Sequence, residues 1–384
     1  MNMQLRDIAD EVRETYVPNQ EDDLPYIGLE HVEPDSLHLA GTGTSLEVES
    51  HKFGFRKGDV LFGTLRPYFR KVILAPCSGV CSTEFSVIRA KNERDRYFVF
   101  YAVALQSFIR YATTRSKGAR PRTKWKLFSD FCLPAFPPTQ RESIGYVLSA
   151  YDDLIENNRR RIQLLEQAAR LLYKEWFVHL RFPGHEHVTI TDGMPEGWEK
   201  VPLAELCTET RDSVHPRDLP PDTPYIGLEH IPRRSITLTE WADAADVDSS
   251  KFRFSEGDIL FGKVRPYFHK VGFALVDGIT SSDAIVIAPT DDELYHYVLF
   301  LLASDEFVAL ASKTVREGSK MPRADWSFLT KSKFLRPPDA VRSMFRDFVR
   351  PACDQLKCLA LRNKRLGTAR DLLLPRLMNG EVAV

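Results

Sequence analysis

"PYIGLEH" stands at residues 25–31 and again at residues 224–230 of this 384-residue chain, an offset of 199. The match runs well past those seven positions. "KFGFRKGDVLFGTLRPYFRKV" (52–72) aligns with "KFRFSEGDILFGKVRPYFHKV" (251–271) at the same offset, with 14 of 21 positions identical. No gap is needed from Pro25 to "STE" at 82–84, which faces "SSD" at 281–283. A repeat of this length marks a duplicated unit, and its period is too long for a solenoid, so each unit is domain-sized.

Each copy follows one plan. A short helix ("LRDIADEV", "LAELC") precedes segments such as "DVLFG" and "DILFG", read as strands closed by a glycine turn. A single helix is expected over "DRYFVFYAVALQSFIRYA" and over "ELYHYVLFLLASDEFVALA", then a basic loop, then a strand ending at Pro137-Pro138 or Pro337-Pro338. The expected class is α/β (α+β).

Between and after the copies the pattern changes. Ile144, Leu148, Tyr151, Ile155, Asn158, Ile162, Leu165, Ala169, Leu172 and Trp176 step alternately by four and three, a heptad seam with one polar member, Asn158. A helix of that reach is about 50 Å long, so its seam needs a partner. Leu356, Leu359, Asn363, Leu366, Leu373 and Leu377 repeat the spacing, interrupted by Arg370, before Asn379-Gly380 ends the helix. Pro351 is expected to bend or start this second helix. The two stripes either cover separate cores or pair as an antiparallel coiled coil that holds the α/β units at its ends. The Pro- and Gly-rich stretch "RFPGHEHVTITDGMPEGWEKVP" (181–202) marks the boundary between halves.

Net charge is −1, so any anion-binding surface is local. Six scattered cysteines read as reduced thiols rather than a disulfide framework. The N-terminus lacks an apolar signal region, and the most apolar run (297–311) contains Asp305 and Glu306 and is too short to span a bilayer. The lone Gly-x-Gly in "GTGTSLEV" has no following helix, Pro337-Pro338 lacks a base-gripping context, and no phosphate-cradling Gly-x4-Gly-Lys loop occurs. His185-x-His187 has no third ligand nearby, so no metal is expected.

Two local surfaces suit nucleic acid. "RYATTRSKGARPRTKWK" (110–126) holds seven basic residues and no acid; Arg115, Lys117, Arg120, Arg122 and Lys124 fall in a Gly/Pro loop before Trp125. Lys313, Arg316, Lys320 and Arg323 stand in the corresponding place before Trp326. Such clusters clamp phosphates or enter the major groove; a charge run alone is more often a solvated face, but its recurrence in both copies points to function. The second surface is "RPYF": Arg66, Tyr68 and Lys71, matched by Arg265, Tyr267 and Lys270. Arginine can grip guanine or phosphate in two places and tyrosine can bond phosphate or stack, against a role for these tyrosines in the core. Residues shared by the copies suit backbone contact, whereas base readers should include positions that differ: Thr64 against Lys263, Arg70 against His269, Glu84 against Asp283, Ala119-Arg120 against Ser319-Lys320.

In the order of these motifs, together with "GWEKVPL", "NNRRRIQLLEQAARLLYKEWF" and "LRNKRLGTARDLLLPRLMNGE", the chain resembles the specificity (S) subunit of type I restriction–modification enzymes over essentially its whole length. The resemblance implies target recognition domains at 1–138 and 185–338, and conserved long helices at 139–184 and 339–384 that space them and dock two methyltransferase (M) subunits, with or without two restriction (R) subunits. It implies double-stranded DNA as ligand, a gap of about five to eight base pairs between half-sites, no catalysis and no cofactor in this chain, and S-adenosylmethionine, ATP and Mg on partner subunits. A cytoplasmic location and no membrane contact follow. The likeness of the copies implies related half-sites, an imperfect interrupted palindrome. Arg159, Arg160 and Arg161 near Asn158, and Arg362, Lys364 and Arg365 near Asn363, either grip acidic partners, reach the DNA between the readers, or face solvent; Trp176 and Phe177 either meet a partner or pack inward. The alternative function is a stand-alone DNA-binding regulator with paired recognition domains.

Overall fold

A computed structural model of the chain describes residues 2–19, 21–315 and 321–384. It is a mixed helix and sheet fold in two compact units. The first holds Met1–Glu156 and Arg365–Val384, the second Asn157–Lys364. Each of the two long helices, Pro138–Tyr173 and Asp339–Met378, contributes one part to each unit.

The first unit is built around "DVLFG". Gly58 adopts φ +89° and turns the chain into the strand Val60–Gly63, whose four residues are all buried. The strand pairs antiparallel with Phe85–Ala90 on one side and Val72–Leu74 on the other, and Ala9–Val12 completes the four-stranded sheet. Successive side chains of a strand point to opposite faces. Val60 and Phe62 therefore join the apolar cluster of the helices, with Phe98, Phe108 and Phe128, while Leu61 joins Ile27, Phe55 and Phe85 beneath the second sheet. A strand covered on both faces has no polar side, which explains the unbroken apolar run. The second sheet has the order Glu14–Tyr16, Lys52–Phe55, Gly79–Cys81, Pro25–Ile27, Gly43–Thr44, so "PYI" lies in its interior, parallel to Gly79–Cys81.

In the second unit Ile259–Gly262 pairs with Ala284–Pro289 and Val271–Ala274. Ile259 and Phe261 face the helical cluster, and Leu260 faces Ile226 and Phe254. Pro224–Ile226 again lies inside a five-stranded sheet, parallel to Gly278–Thr280.

Three helical expectations need correction. The apolar helix of each copy is two helices: Arg96–Ala104 and Gln106–Thr114 in the first, Tyr295–Leu302 and Asp305–Lys313 in the second, the latter bent by 67°. Ser304 is extended and its Oγ accepts the Phe307 N–H at 3.1 Å, an N-cap that starts a new helix. Second, Pro351 does not start its helix, which begins at Asp339 and continues to Met378. The missing N–H costs about 3 kcal/mol, offset by burial of Phe345, Val349, Cys353 and Leu356 around it. Third, "LRDIADEV" is one helical turn, Leu5–Ile8, followed by the strand Ala9–Val12. The end at Asn379-Gly380 is as expected: Gly380 takes φ +75°, its N–H bonds Leu377 O at 3.1 Å and the Glu381 N–H bonds Arg376 O at 2.8 Å. Among the described residues no single helix is long and apolar enough to cross a membrane.

Candidate nucleic-acid interface

Beyond Gly63 the chain makes one tight corner. Pro67–Phe69 is a single 3-10 turn flanked by Arg66 (φ 50°) and Arg70 (φ 48°), both left-handed. Pro266–Phe268 is flanked in the same way by Arg265 (φ 49°) and His269 (φ 55°). Non-glycine residues pay about 1–2 kcal/mol each for this region, so the corner persists only because its surroundings hold it. The Arg66 N–H donates to Pro121 O and the Arg265 N–H to Pro322 O, both at 2.7 Å. Those carbonyls belong to the basic loops, so the bond fastens each loop to its corner.

Further bonds repeat the fastening. The Thr64 N–H and Oγ both donate to Glu84 O at 2.7 Å, and the Thr123 N–H donates to Thr64 O. In the second unit the Lys263 N–H donates to Asp283 O and the Ala324 N–H to Lys263 O. Arg122 pairs with Glu84 at 2.7 Å and Arg323 with Asp283 at 2.8 Å. The acids that differ between the copies thus hold the loop arginines in place.

The outer surface of each corner is an arginine and a tyrosine. Arg66 and Arg265 are exposed, each guanidinium 5.9 Å from the ring centre of Phe69 or Phe268. Tyr68 is 45% and Tyr267 54% exposed, which answers against a core role. Arg115 stacks on Tyr111 at 3.5 Å from the ring centre, and Lys117, Arg120 and Lys124 are exposed with no ion pair among the described residues. Lys313 is also exposed, whereas Arg316, Ser319 and Lys320 lie outside the described residues.

Other candidates point inward. Arg70 Nε donates to Ala104 O and His269 Nε2 to Ala303 O, each at 2.8 Å. Those carbonyls are freed where the apolar helix breaks in two. Arginine and histidine, read as differing base contacts, thereby do the same internal task. Burial pushes the His269 imidazole below its ordinary value. Lys71 Nζ donates to Leu29 O at 2.7 Å, and Lys270 Nζ to Leu228 O, so both lysines brace the "PYIGLEH" turn. Burial lowers the pKa of both. Thr64 is buried and Lys263 half-buried.

"PYIGLEH" itself is a braced turn. His31 Nδ1 accepts the Gly28 N–H at 2.9 Å and His230 Nδ1 the Gly227 N–H at 3.0 Å, and each ring packs edge-on to its tyrosine at 5.7 Å. A Cβ at Gly28 would lie 2.0 Å from Glu30 Oε1. Within the heptapeptides the histidine and glycine thus build the turn, while Glu30 and Glu229 are exposed.

On the helices, Arg159, Arg160, Arg161, Arg362 and Arg365 are exposed. Trp176 and Phe177 are not available to a partner: each is 5% exposed and packs on Phe345, with Trp198 and Tyr297 completing an aromatic cluster. His185 and His187 contact Glu186, and no group of metal-ligating residues occurs among the described residues.

No protein-family model matches the chain. Along 86% of its length it is 23% identical to the Type I restriction enzyme MjaIX specificity subunit of Methanocaldococcus jannaschii, covering 79% of that protein. Over the same share it is 21% identical to the HindI specificity subunit of Haemophilus influenzae, covering 88% of it. A crystal structure of the type I restriction–modification S subunit from M. genitalium matches 98% of this chain and 96% of its own, with a TM-score of 0.63 at 13% identity, a likeness of fold. The curated homologues of the chain are thus specificity subunits of type I restriction enzymes.

Proposed function

We propose that this chain is the DNA-sequence-recognition subunit of a type I restriction–modification complex. Each α/β unit reads one half of a bipartite duplex target through the major groove. One observation carries the reading: an exposed Arg-Pro-Tyr corner, fastened by the same backbone bond to an arginine-bearing loop, recurs 199 residues on, Arg66 to Arg265. Arg66, Tyr68, Arg265 and Tyr267 make the shared contacts, and Arg115, Lys117, Arg120 and Lys124 add phosphate contacts around the first corner.

The segments 139–184 and 339–384 form an antiparallel coiled coil that spaces the domains 1–138 and 185–338. Contacts within each unit support it. In the first, Asp152 pairs with Arg370, and Ile144 and Leu148 share a cluster with Leu374 and Leu377. In the second, Asn158 bonds Asn363 at 2.8 Å and Tyr173 packs on Phe345. In both, higher numbers on one helix meet lower numbers on the other. The exposed arginines 159, 160, 362 and 365 serve docking of two methyltransferase subunits, with or without two restriction subunits, in the cytoplasm. S-adenosylmethionine, ATP and Mg belong to those partners, and this chain takes no chemical step.

Selection of the purified chain, with its methyltransferase partner, on random duplexes tests the reading. Two fixed blocks separated by a constant random gap are expected. A single contiguous block, or no enrichment, contradicts it.

A further inference from the structure

The two α/β bodies present opposite charges to their long helices at corresponding positions. The bodies correspond at the repeat offset of 199, so Lys57 answers to Glu256 and Arg94 to Glu293. The helices correspond through their buried residues: Ile144, Leu148 and Ile155 take the places of Phe345, Val349 and Leu356, an offset of 201. Glu156 then answers to Lys357.

In the second unit the body is acidic and the helix basic. Glu256 pairs with Lys357, and Glu293 pairs with Arg346. In the first unit Lys57, Arg94 and Glu156 carry the opposite charges, while Arg346 answers to Gly145 and the acid that faces Arg94 stands one turn earlier, at Glu142. Arg94 of the body lies 3.9 Å from Glu142 of the helix, and Lys57 lines the same cleft as Glu156. A third pair, Arg141 to Asp95 through two bonds of 2.9 and 2.8 Å, is largely buried. Its counterpart Arg342 pairs with Asp339 on its own helix, and the position of Asp95 is taken by the apolar Leu294.

We infer that these reversed charges are a key by which each α/β body accepts only its own helix. With the second body's charges, the first helix would meet Glu against Glu142 and Glu against Glu156. With the first body's charges, the second helix would meet Arg against Arg346 and Lys against Lys357. Of the three, only Asp95 would find an equivalent partner, in Arg342. Exposed pairs contribute little singly, but exchanging the key turns each attraction into a repulsion. The key fixes which reader sits at which end of an asymmetric chain. It concerns docking within each unit and stands independently of what the readers bind.

Transplanting the key in the full-length chain tests this. Lys57→Glu with Arg94→Glu gives the first body the second body's charges. The thermal midpoint should fall by about 3–6 °C at low salt. Adding Glu142→Arg and Glu156→Lys should restore most of that loss, and 1 M salt should shrink the difference at every step. In the second unit Glu256→Lys with Glu293→Arg should fall likewise and recover with Arg346→Glu and Lys357→Glu. A body-side change that leaves the midpoint unmoved overturns the inference, as does a helix-side change that fails to recover it.

Discussion

Asn158 Nδ2 donates to Asn363 Oδ1 at 2.8 Å, joining the polar seam residue of one long helix to that of the other. Asn158 is 4% exposed, between apolar seam neighbours Ile155 and Ile162. A buried amide pair of this kind favours one register, because any slip would set an amide against an apolar side chain. Asn158→Ala should therefore cost about 1–3 kcal/mol of unfolding free energy. Asn158→Leu with Asn363→Leu should recover that stability while loosening the register. Urea titrations compare the three; an Asn158→Ala chain as stable as the parent contradicts the role.

Glu166 is a second buried polar anchor of the central helix. Its Oε1 alone accepts the Ser235 Oγ, the Ile236 and Thr237 N–H groups and the Thr237 Oγ, at 2.5 to 3.2 Å. Glutamine keeps an acceptor there, so Glu166→Gln should cost about 1 kcal/mol, whereas Glu166→Leu should cost about 3 kcal/mol or more by orphaning buried donors. Equal losses from the two substitutions contradict this assignment.

Acid should weaken the second unit through His296. This residue is 8% exposed, and burial pushes its pKa down to about 4, with Arg350 and Arg346 adding to the shift and Asp354 opposing it. The unfolded chain protonates first, near pH 6.5. The stability contribution of neutral His296 is thus complete above that pH and is lost as pH falls towards about 4. The loss is on the order of 3 kcal/mol. His296→Tyr installs the residue of the corresponding position, Tyr97, and should flatten the dependence between pH 7 and 4.5. A variant with the parental pH slope excludes His296 as the source.

The exposed corner should serve binding and not folding. Arg66→Ala with Tyr68→Ala should leave the thermal midpoint within about 2 °C, since exposed side chains contribute little, yet weaken duplex binding by about tenfold or more. Each lost phosphate contact should also reduce the log–log salt slope by about 0.9. The matching Arg265→Ala and Tyr267→Ala changes should act on the other half-site. Unchanged affinity with both corners altered contradicts the proposed interface.

Much of the fold and part of the site are legible in the sequence. The offset of 199 identifies equivalent elements, and the four-three stepping picks out buried seam residues such as Ile144, Leu148 and Ile155. The exposed Arg66–Tyr68 pair is also readable, because proline after arginine signals a turn. What stays hidden has physical causes. Left-handed arginines carry no residue signature, so the inward turn of Arg70 and His269 leaves no local mark. Their acceptors exist only because the apolar helix breaks at Leu105 and Ser304, and apolar composition alone does not reveal a break inside a core. Trp176 and Phe177 end a seam, where periodicity cannot tell a partner face from an aromatic core. The bonds from Lys71 to Leu29 and from Arg122 to Glu84 span 42 and 38 residues, beyond the reach of local patterns.

The central claim is that two recognition units on one chain direct modification to a split target. Sequencing of methylated bases across the genome of the source strain, with and without this gene, tests it most directly. The account predicts that deletion removes one bipartite motif, two related blocks separated by a fixed gap, and leaves other methylation intact. A methylome unchanged by the deletion, or one that loses only a contiguous motif, would contradict it.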